Sequence, residues 1–220
     1  MKNTMIGAFA DLFCPLSCIA CGGSGSLLCE CCRKNLCLDY GECLRCGQKL
    51  KDSICNNCEM AGSKQLCLGS RSGAVKELIN LFKYRSLRRA GRILASLLLE
   101  AEDFTNNNVI VPLPTISRHV RERGYGHIEL LAKYLVKNSS ATCENLLIRA
   151  KNTVQVGADS EKRQSQAKEA YALRGSIDPK KHYCLLDDVW TTGSSMLSAI
   201  KILRSAGAQY VNTIVIAKTV

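Results

Sequence analysis

No stretch of about 18 consecutive apolar residues occurs in the sequence, so nothing in it reads as a membrane-spanning helix. The apolar start, Met1 to Phe13, is short, and no small-residue cleavage site closes it. It does not read as a secretory signal, and the expected compartment is the cytoplasm. There is no Gly-Lys-Ser/Thr, which excludes a Walker-type nucleotide loop. Aromatic residues make up 5% of the 220, a thin supply for the ring platforms on which unpaired bases stack. Acidic side chains are also short, 19 against 30 basic, giving a formal net charge of +11. With 46% hydrophobic and 22% charged residues the composition is globular rather than disordered. At about 100–200 residues per domain, the length admits one domain plus a small module.

Cysteine is plentiful and unevenly placed. Twelve of the 14 cysteines lie between Cys14 and Cys67. Residues 1–67 carry 7 basic and 6 acidic side chains, so nearly all the excess positive charge lies in the rest of the chain. This divides the sequence into a cysteine-dense head and a basic body, drawn here as residues 1–66 and 67–220. The head holds four Cys-x-x-Cys pairs: Cys18/Cys21, Cys29/Cys32, Cys43/Cys46 and Cys55/Cys58. Each suits a knuckle that aims two thiolates at one point, and two knuckles complete the tetrahedral set that zinc takes. Sequential pairing gives two sites and a double zinc ribbon. Without a secretory signal, disulfides are disfavoured. Iron–sulfur ligation expects three or four cysteines in one run, which is missing. Cys14, Cys31, Cys37 and Cys67 are surplus, and Cys31 competes with Cys32. Four thiolates per ion leave no open position, so the expected zinc is structural. Two such sites would take the head from +1 to about −3, a poor charge for nucleic acid.

The body alternates helices and strands. Helical spacing is found over Ala74 to Tyr84, Arg88 to Glu102 and Gly126 to Lys137, and again over Ser194 to Ala206. Strands are expected at Val109 to Val111, Leu146 to Ile148, Tyr183 to Leu186 and Tyr210 to Ala217. Arg149 to Lys168 reads as a mobile loop passing into a polar helix. Strand–helix–strand at this spacing implies a right-handed crossover and a parallel sheet. The expected fold is α/β, a parallel sheet flanked by helices, preceded by a small zinc-ribbon module with four cysteines per site.

The chemistry gathers where Tyr183-Cys184-Leu185-Leu186 meets Asp187-Asp188-Val189-Trp190-Thr191-Thr192-Gly193-Ser194-Ser195. A buried strand is expected to end in the two carboxylates, followed by a hydroxyl-rich turn and a helix start. A helix N-terminus offers unpaired N–H groups, Thr191, Thr192, Ser194 and Ser195 add hydroxyls, and Gly193 permits close approach. Together these make a phosphate cradle. Asp187 and Asp188 would repel phosphate. They suit ribose hydroxyls or a hydrated Mg²⁺. The turn therefore reads a sugar phosphate.

The Asp187-Asp188-Val189-x-Thr-Thr-Gly stretch resembles the phosphoribosyl pyrophosphate (PRPP) signature of type I phosphoribosyltransferases. Leu78-Ile79-x-x-Phe82-Lys83-Tyr84-Arg85, Val111-Pro112-Leu113-Pro114, Arg121-Glu122-Arg123-Gly124-Tyr125 and Arg149 to Gln155 extend the likeness over nearly the whole chain. The whole resembles the ComF/GntX family of competence-associated proteins, a cysteine-rich zinc head before a phosphoribosyltransferase-like domain. That resemblance implies pentosyl transfer, a glycosyltransferase activity, with Asp187 and Asp188 on the ribose hydroxyls of PRPP and Mg²⁺ nearby. It places the 5′-phosphate on Thr191 to Ser195 and a pyrophosphate loop at Pro112 to Pro114, with Arg118, Arg121 and Arg123 facing an anion. Residues 149–163 would be a flexible flap, including Lys151, Thr153, Gln155 and Arg163. The chain departs from the family pattern in four places: Gly126-His127 stand where Asn-Gln is common, Thr153-Val154-Gln155 where Thr-x-Ser-Gln is usual, Arg163-Gln164 where the flap has Arg-Asn, and Gly193-Ser194-Ser195 where Gly-Ala-Thr is usual.

The resemblance also implies a role in uptake of single-stranded DNA during natural competence. The basic body supplies the electrostatics. Lys83, Tyr84, Arg85 and Arg88 are the candidate DNA contacts at one helix junction. The alternative to an enzyme is thus a non-catalytic single-stranded DNA binder, or an adaptor that docks the competence or helicase machinery through its zinc head.

Overall fold

A computed structural model describes residues 17–36, 41–101, 108–150 and 171–219. The flap residues Lys151, Thr153, Gln155 and Arg163 lie outside the described residues, as do Cys14 and Cys37.

Five strands form a parallel sheet in the order β1-β7-β6-β2-β3. They are β1 (Gln65–Cys67), β2 (Val109–Pro112), β3 (Thr142–Cys143), β6 (His182–Trp190) and β7 (Tyr210–Lys218). The expected Leu146–Ile148 strand forms as β4 (Leu147–Arg149), but outside this sheet. It pairs antiparallel with β5 (Tyr171–Leu173). The helices are α1 (Glu30–Lys34), α2 (Gly73–Tyr84), α3 (Arg88–Ala101), α4 (Ser117–Arg123), α5 (His127–Lys137) and α6 (Ser194–Ser205). Among the described residues no helix is long and apolar enough to cross a membrane.

The helices form where apolar residues recur every three to four positions. Val75, Leu78, Ile79 and Phe82 of α2 are buried, as are Ile128, Leu131, Ala132 and Leu135 of α5, and Met196, Ala199, Ile200 and Leu203 of α6. The sheet sorts its side chains with period two. Ile110, Cys184, Leu186, Ile214 and Ile216 face α2, α3 and α5. Val109, Val111, Tyr183, Leu185 and Val215 face α6 and the second cysteine cluster.

From β2 the chain moves outward through α5 to β3; from β6 it moves the other way through α6 to β7. Right-handed crossovers in opposite directions place α5 and α6 on opposite faces. The neighbours β6 and β2 are therefore the switch point, where α/β sheets open a crevice at their C-terminal ends. β2 pairs with β6 only as far as Pro112 opposite Leu186, and β6 runs on to Trp190 against β7. The strand thus continues through Asp187 and Asp188 instead of ending at them. Pairing with β7 outweighs the poor strand preference of aspartate.

Head and body share this architecture. The strand β1 spans the 66/67 boundary drawn from composition, and Cys18, Leu27 and Leu28 join the core beneath α2 and α3. Arg33 of α1 binds Glu100 through two nitrogens, at 2.5 and 3.0 Å, and donates to Ser96 Oγ at 2.9 Å.

Close packing of α2 on α3 depends on Gly91. A Cβ there would lie 2.5 Å from the ring of Phe82, which is fully buried. Gly91→Ala is expected to destabilise the protein by about 1–3 kcal/mol despite the better helix propensity of alanine. A denaturant midpoint unchanged or raised would contradict this packing.

Candidate functional site

The eight paired cysteines gather as two tetrads, Cys18/Cys21/Cys29/Cys32 and Cys43/Cys46/Cys55/Cys58, with sulfurs within 4.8 Å of one another. Sequential pairing of the knuckles is thus what forms. Individual Sγ–Sγ distances are 3.8 Å for Cys21–Cys29 and Cys43–Cys58, 3.7 Å for Cys46–Cys55 and 3.6 Å for Cys55–Cys58. Four sulfurs about 2.3 Å from one zinc lie about 3.8 Å apart, whereas a disulfide needs about 2.0 Å. Both tetrads are compatible with zinc. Backbone N–H groups of Cys29, Cys32, Asn57 and Met60 point at Cys18, Cys29, Cys55 and Cys58 sulfurs respectively. Burial pushes the Cys58 thiol up to about 12, a penalty that a central divalent cation removes. Cys31 is exposed and takes a long hydrogen bond from Asn35, so Cys32 is the ligand of the two. Cys67 is buried in β1 and donates to Gly69 O.

The second tetrad is tied to the sheet. Gln65 of β1 is 3% exposed. Its amide accepts from Leu44 N at 3.0 Å and donates to Cys43 Sγ at 3.4 Å. Arg204, in the last turn of α6, donates to Ala61 O at 2.8 Å and Ser63 Oγ at 2.9 Å. Metal stripping with a strong chelator is therefore expected to lower the melting temperature of the whole protein, not only to unravel the head. Calorimetry before and after chelation tests this; a body transition left at its original temperature would refute it.

At the switch point two cavities adjoin. The smaller, about 40 Å³, is lined by Asp187, Trp190, Thr191, Gly193, Ser194 and Ser195 among others. It opens at the start of α6, where the sequence places the cradle. Gly193 has φ +76°, and a side chain there would collide with the Trp190 ring. Glycine is thus demanded twice. Thr192 turns to Ser194, Oγ to Oγ at 3.1 Å, instead of lining the cavity. The larger cavity, about 280 Å³, includes Lys83, Arg123, His127, Arg149, Asp187 and Asp188 in its wall and shares Asp187 and Ser195 with the first.

Period two on β6 splits the acidic pair. Asp188 shares the even-numbered face of Cys184 and Leu186, towards α2 and α5; Asp187 shares the face of Leu185, towards α6. Asp188 Oδ2 meets Lys83 Nζ at 2.6 Å and His127 Nε2 at 2.5 Å. Arg123 Nη1 donates to His127 Nδ1 at 3.0 Å. Arginine has no acceptor, so Nδ1 must be the bare nitrogen and Nε2 carries the proton. His127 Nε2 is thereby the nitrogen that donates to Asp188. Burial alone would raise Asp188, but the His127 N–H and the Lys83 ammonium outweigh it and hold the carboxyl far below the usual range. Among the described residues Asp187 has no such ion pair. Burial and the adjacent Asp188 charge push it up to about 7, against the pull of the Asp188 N–H at 2.8 Å and of Lys83 and Arg149.

The expected anion-binding arginines separate. Arg123 faces the cavity and lies 5.4 Å from the Tyr84 ring centroid. Arg118 is exposed and paired with Glu122 at 2.7 Å, and Arg121 is exposed on α4. Pro112 is buried at the end of β2, while Leu113, Pro114 and Thr115 line the cavity beyond it. Lys83, grouped from sequence with the DNA contacts, points inward at 17% exposure, whereas Tyr84, Arg85 and Arg88 are exposed. Lys83 was missed as a cavity residue because Asp188 lies far along the chain. His127 carried a signal, its place where the family commonly has glutamine.

A carboxyl whose folded pKa is raised costs stability once pH exceeds its unfolded value, and the cost is complete above the folded value. Asp187→Asn is therefore expected to be more stable than wild type at pH 8, by on the order of 1–3 kcal/mol. The gap should shrink as pH falls from 7 towards 4. Urea titrations at several pH values measure it; a gap that widens on acidification would overturn the assignment.

No family model matches the chain. Competence protein F of Haemophilus influenzae is 29% identical over 212 residues, covering 87% of this chain and 92% of that protein. The resemblance to the ComF/GntX family therefore holds over most of the chain. A solved hypoxanthine phosphoribosyltransferase from Staphylococcus aureus is similar over 64% of this chain and 62% of its own, at 13% identity and a TM-score of 0.32. The chain thus spans just under two thirds of that enzyme, and so loose a superposition says nothing about activity here.

Proposed function

We propose that the chain is a phosphoribosyltransferase-family protein that binds PRPP with Mg²⁺ and acts in DNA uptake during competence. One observation carries the reading: the two adjoining cavities that share Asp187 and Ser195. The cradle at the start of α6 suits the 5′-phosphate. Asp187, between the cavities, suits the ribose hydroxyls. The larger cavity, with Lys83, Arg123 and Arg149 in its wall, suits the diphosphate. Asp187 and the ligand's phosphate oxygens would hold Mg²⁺, which neutralises charge on the diphosphate.

In pentosyl transfer the C1–O bond to diphosphate breaks as an acceptor nucleophile closes on C1, through an oxocarbenium-like state. The cationic side chains stabilise the departing diphosphate where its charge grows.

Calorimetric titration of PRPP with Mg²⁺ tests the reading. Wild type is expected to bind in the micromolar range, and Asp187→Ala to bind at least about tenfold more weakly, since the hydroxyl contacts are charge-assisted. A wild-type protein with intact metal tetrads that does not bind PRPP would sink it.

The second reading, a single-stranded DNA binder or adaptor of the uptake machinery, is favoured by a different observation. Tyr84 is 61% exposed beside exposed Arg85 and Arg88, and the Arg88 guanidinium lies 5.5 Å from the Tyr125 ring centroid. Such binding weakens steeply with salt, while PRPP binding at Asp187 is indifferent to changes at Arg85 and Arg88.

A further inference from the structure

The acidic pair offers one open carboxylate, not two. Asp188 Oδ2 already receives the Lys83 ammonium at 2.6 Å and the His127 N–H at 2.5 Å. The side chains of Asp188, Lys83 and His127 are 9%, 17% and 7% exposed, so water does little to loosen the cluster. Three elements outside β6 build it: the last turn of α2 supplies Lys83, the first turn of α5 supplies His127, and the end of α4 supplies the Arg123 that fixes the histidine tautomer. An ammonium so close to Asp188 Oδ2 stands where a directly bound divalent cation would stand, and two like charges cannot share that oxygen.

We propose that Lys83 is the resident cation of the acidic pair. It occupies Asp188 Oδ2, excludes a divalent metal from the free protein, and leaves Asp187 as the carboxylate that meets ligand. Asp188 is then a positioning residue: with His127 it holds Lys83 at the wall of the larger cavity, Nζ presented to an incoming anion. Divalent metal enters only with a ligand that brings its own phosphate oxygens. The exclusion of metal stands on this geometry alone. Only the identity of the ligand at Asp187 rests on the sugar-phosphate reading.

The test uses Mn²⁺ alone, without any sugar phosphate, on the full chain purified without chelator, read by the electron paramagnetic resonance signal of free Mn²⁺. Wild type and Lys83→Arg, which keeps the charge, should show no saturable site at the acidic pair. Lys83→Gln should gain one, tightening Mn²⁺ about tenfold or more by removing an adjacent positive charge. Adding Asp188→Asn to Lys83→Gln should abolish the gain. A merely structural lysine would lower stability without creating a metal site. Wild-type binding equal to that of Lys83→Gln, or a gain that survives Asp188→Asn, overturns the proposal. Should Lys83→Gln fail to fold, wild type decides: saturable Mn²⁺ binding that Asp188→Asn removes is fatal, and its absence sustains the proposal. Because PRPP takes no part, a failure here is distinguishable from a failure to bind PRPP.

Discussion

Burying a carboxylate is costly unless charge and hydrogen bonds replace its water, and Asp188 is buried. Its compensation comes from α2 and α5, two of the three helices that cover one face of the sheet. The ion pair to Lys83 and the hydrogen bond from His127 fix the ends of both helices against β6. That arrangement puts Lys83 and His127 in the wall of the larger cavity. It also turns Asp187 the other way, because neighbouring residues of a strand cannot share a face. The division of labour between the two aspartates is thus a consequence of strand geometry, and the raised pKa of Asp187 follows from its unpaired burial beside Asp188.

The metal head bears on the same crevice from the other side. Gln65 lies in β1 and contacts Cys43, and Arg204 ends the helix whose first turn is the cradle. The helix α6 is 12 residues long, about 18 Å at 1.5 Å per residue. It is a strut between the phosphate cradle and the loop after Cys58. A closed four-thiolate site does no chemistry of its own. Its leverage is mechanical, on the helix whose first turn lines the smaller cavity.

Much of this was legible in the sequence. Cys-x-x-Cys spacing is a local property, so the tetrads and their sequential pairing were open to reading without any fold. The helices α2, α5 and α6 announce themselves through apolar period, and their boundaries shift by only a residue or so. The cradle was legible because its hydroxyls and Gly193 are contiguous. The limits have equally physical causes. Aspartate is a poor strand former, so the continuation of β6 through the acidic pair was hidden; pairing with β7 imposes it. Strands β1, β3 and β5 are two or three residues long and carry no period. Lys83 read as part of a basic surface because its partner is brought to it by sheet and helix packing, and composition does not encode which of several basic side chains turns inward.

That inward turn separates two electrostatic roles. With Asp187 ionised, the quartet of Asp187, Asp188, Lys83 and Arg123 is neutral. The large positive excess of the body therefore sits outside the quartet, on exposed residues such as Arg85, Arg88, Arg118 and Arg121. A field of that kind attracts polyanions over about a Debye length and fades with salt. The quartet, half-buried to buried in the crevice wall, is screened less and acts at short range. Attraction of a nucleic acid and recognition of a sugar phosphate can thus coexist in one small body without sharing side chains.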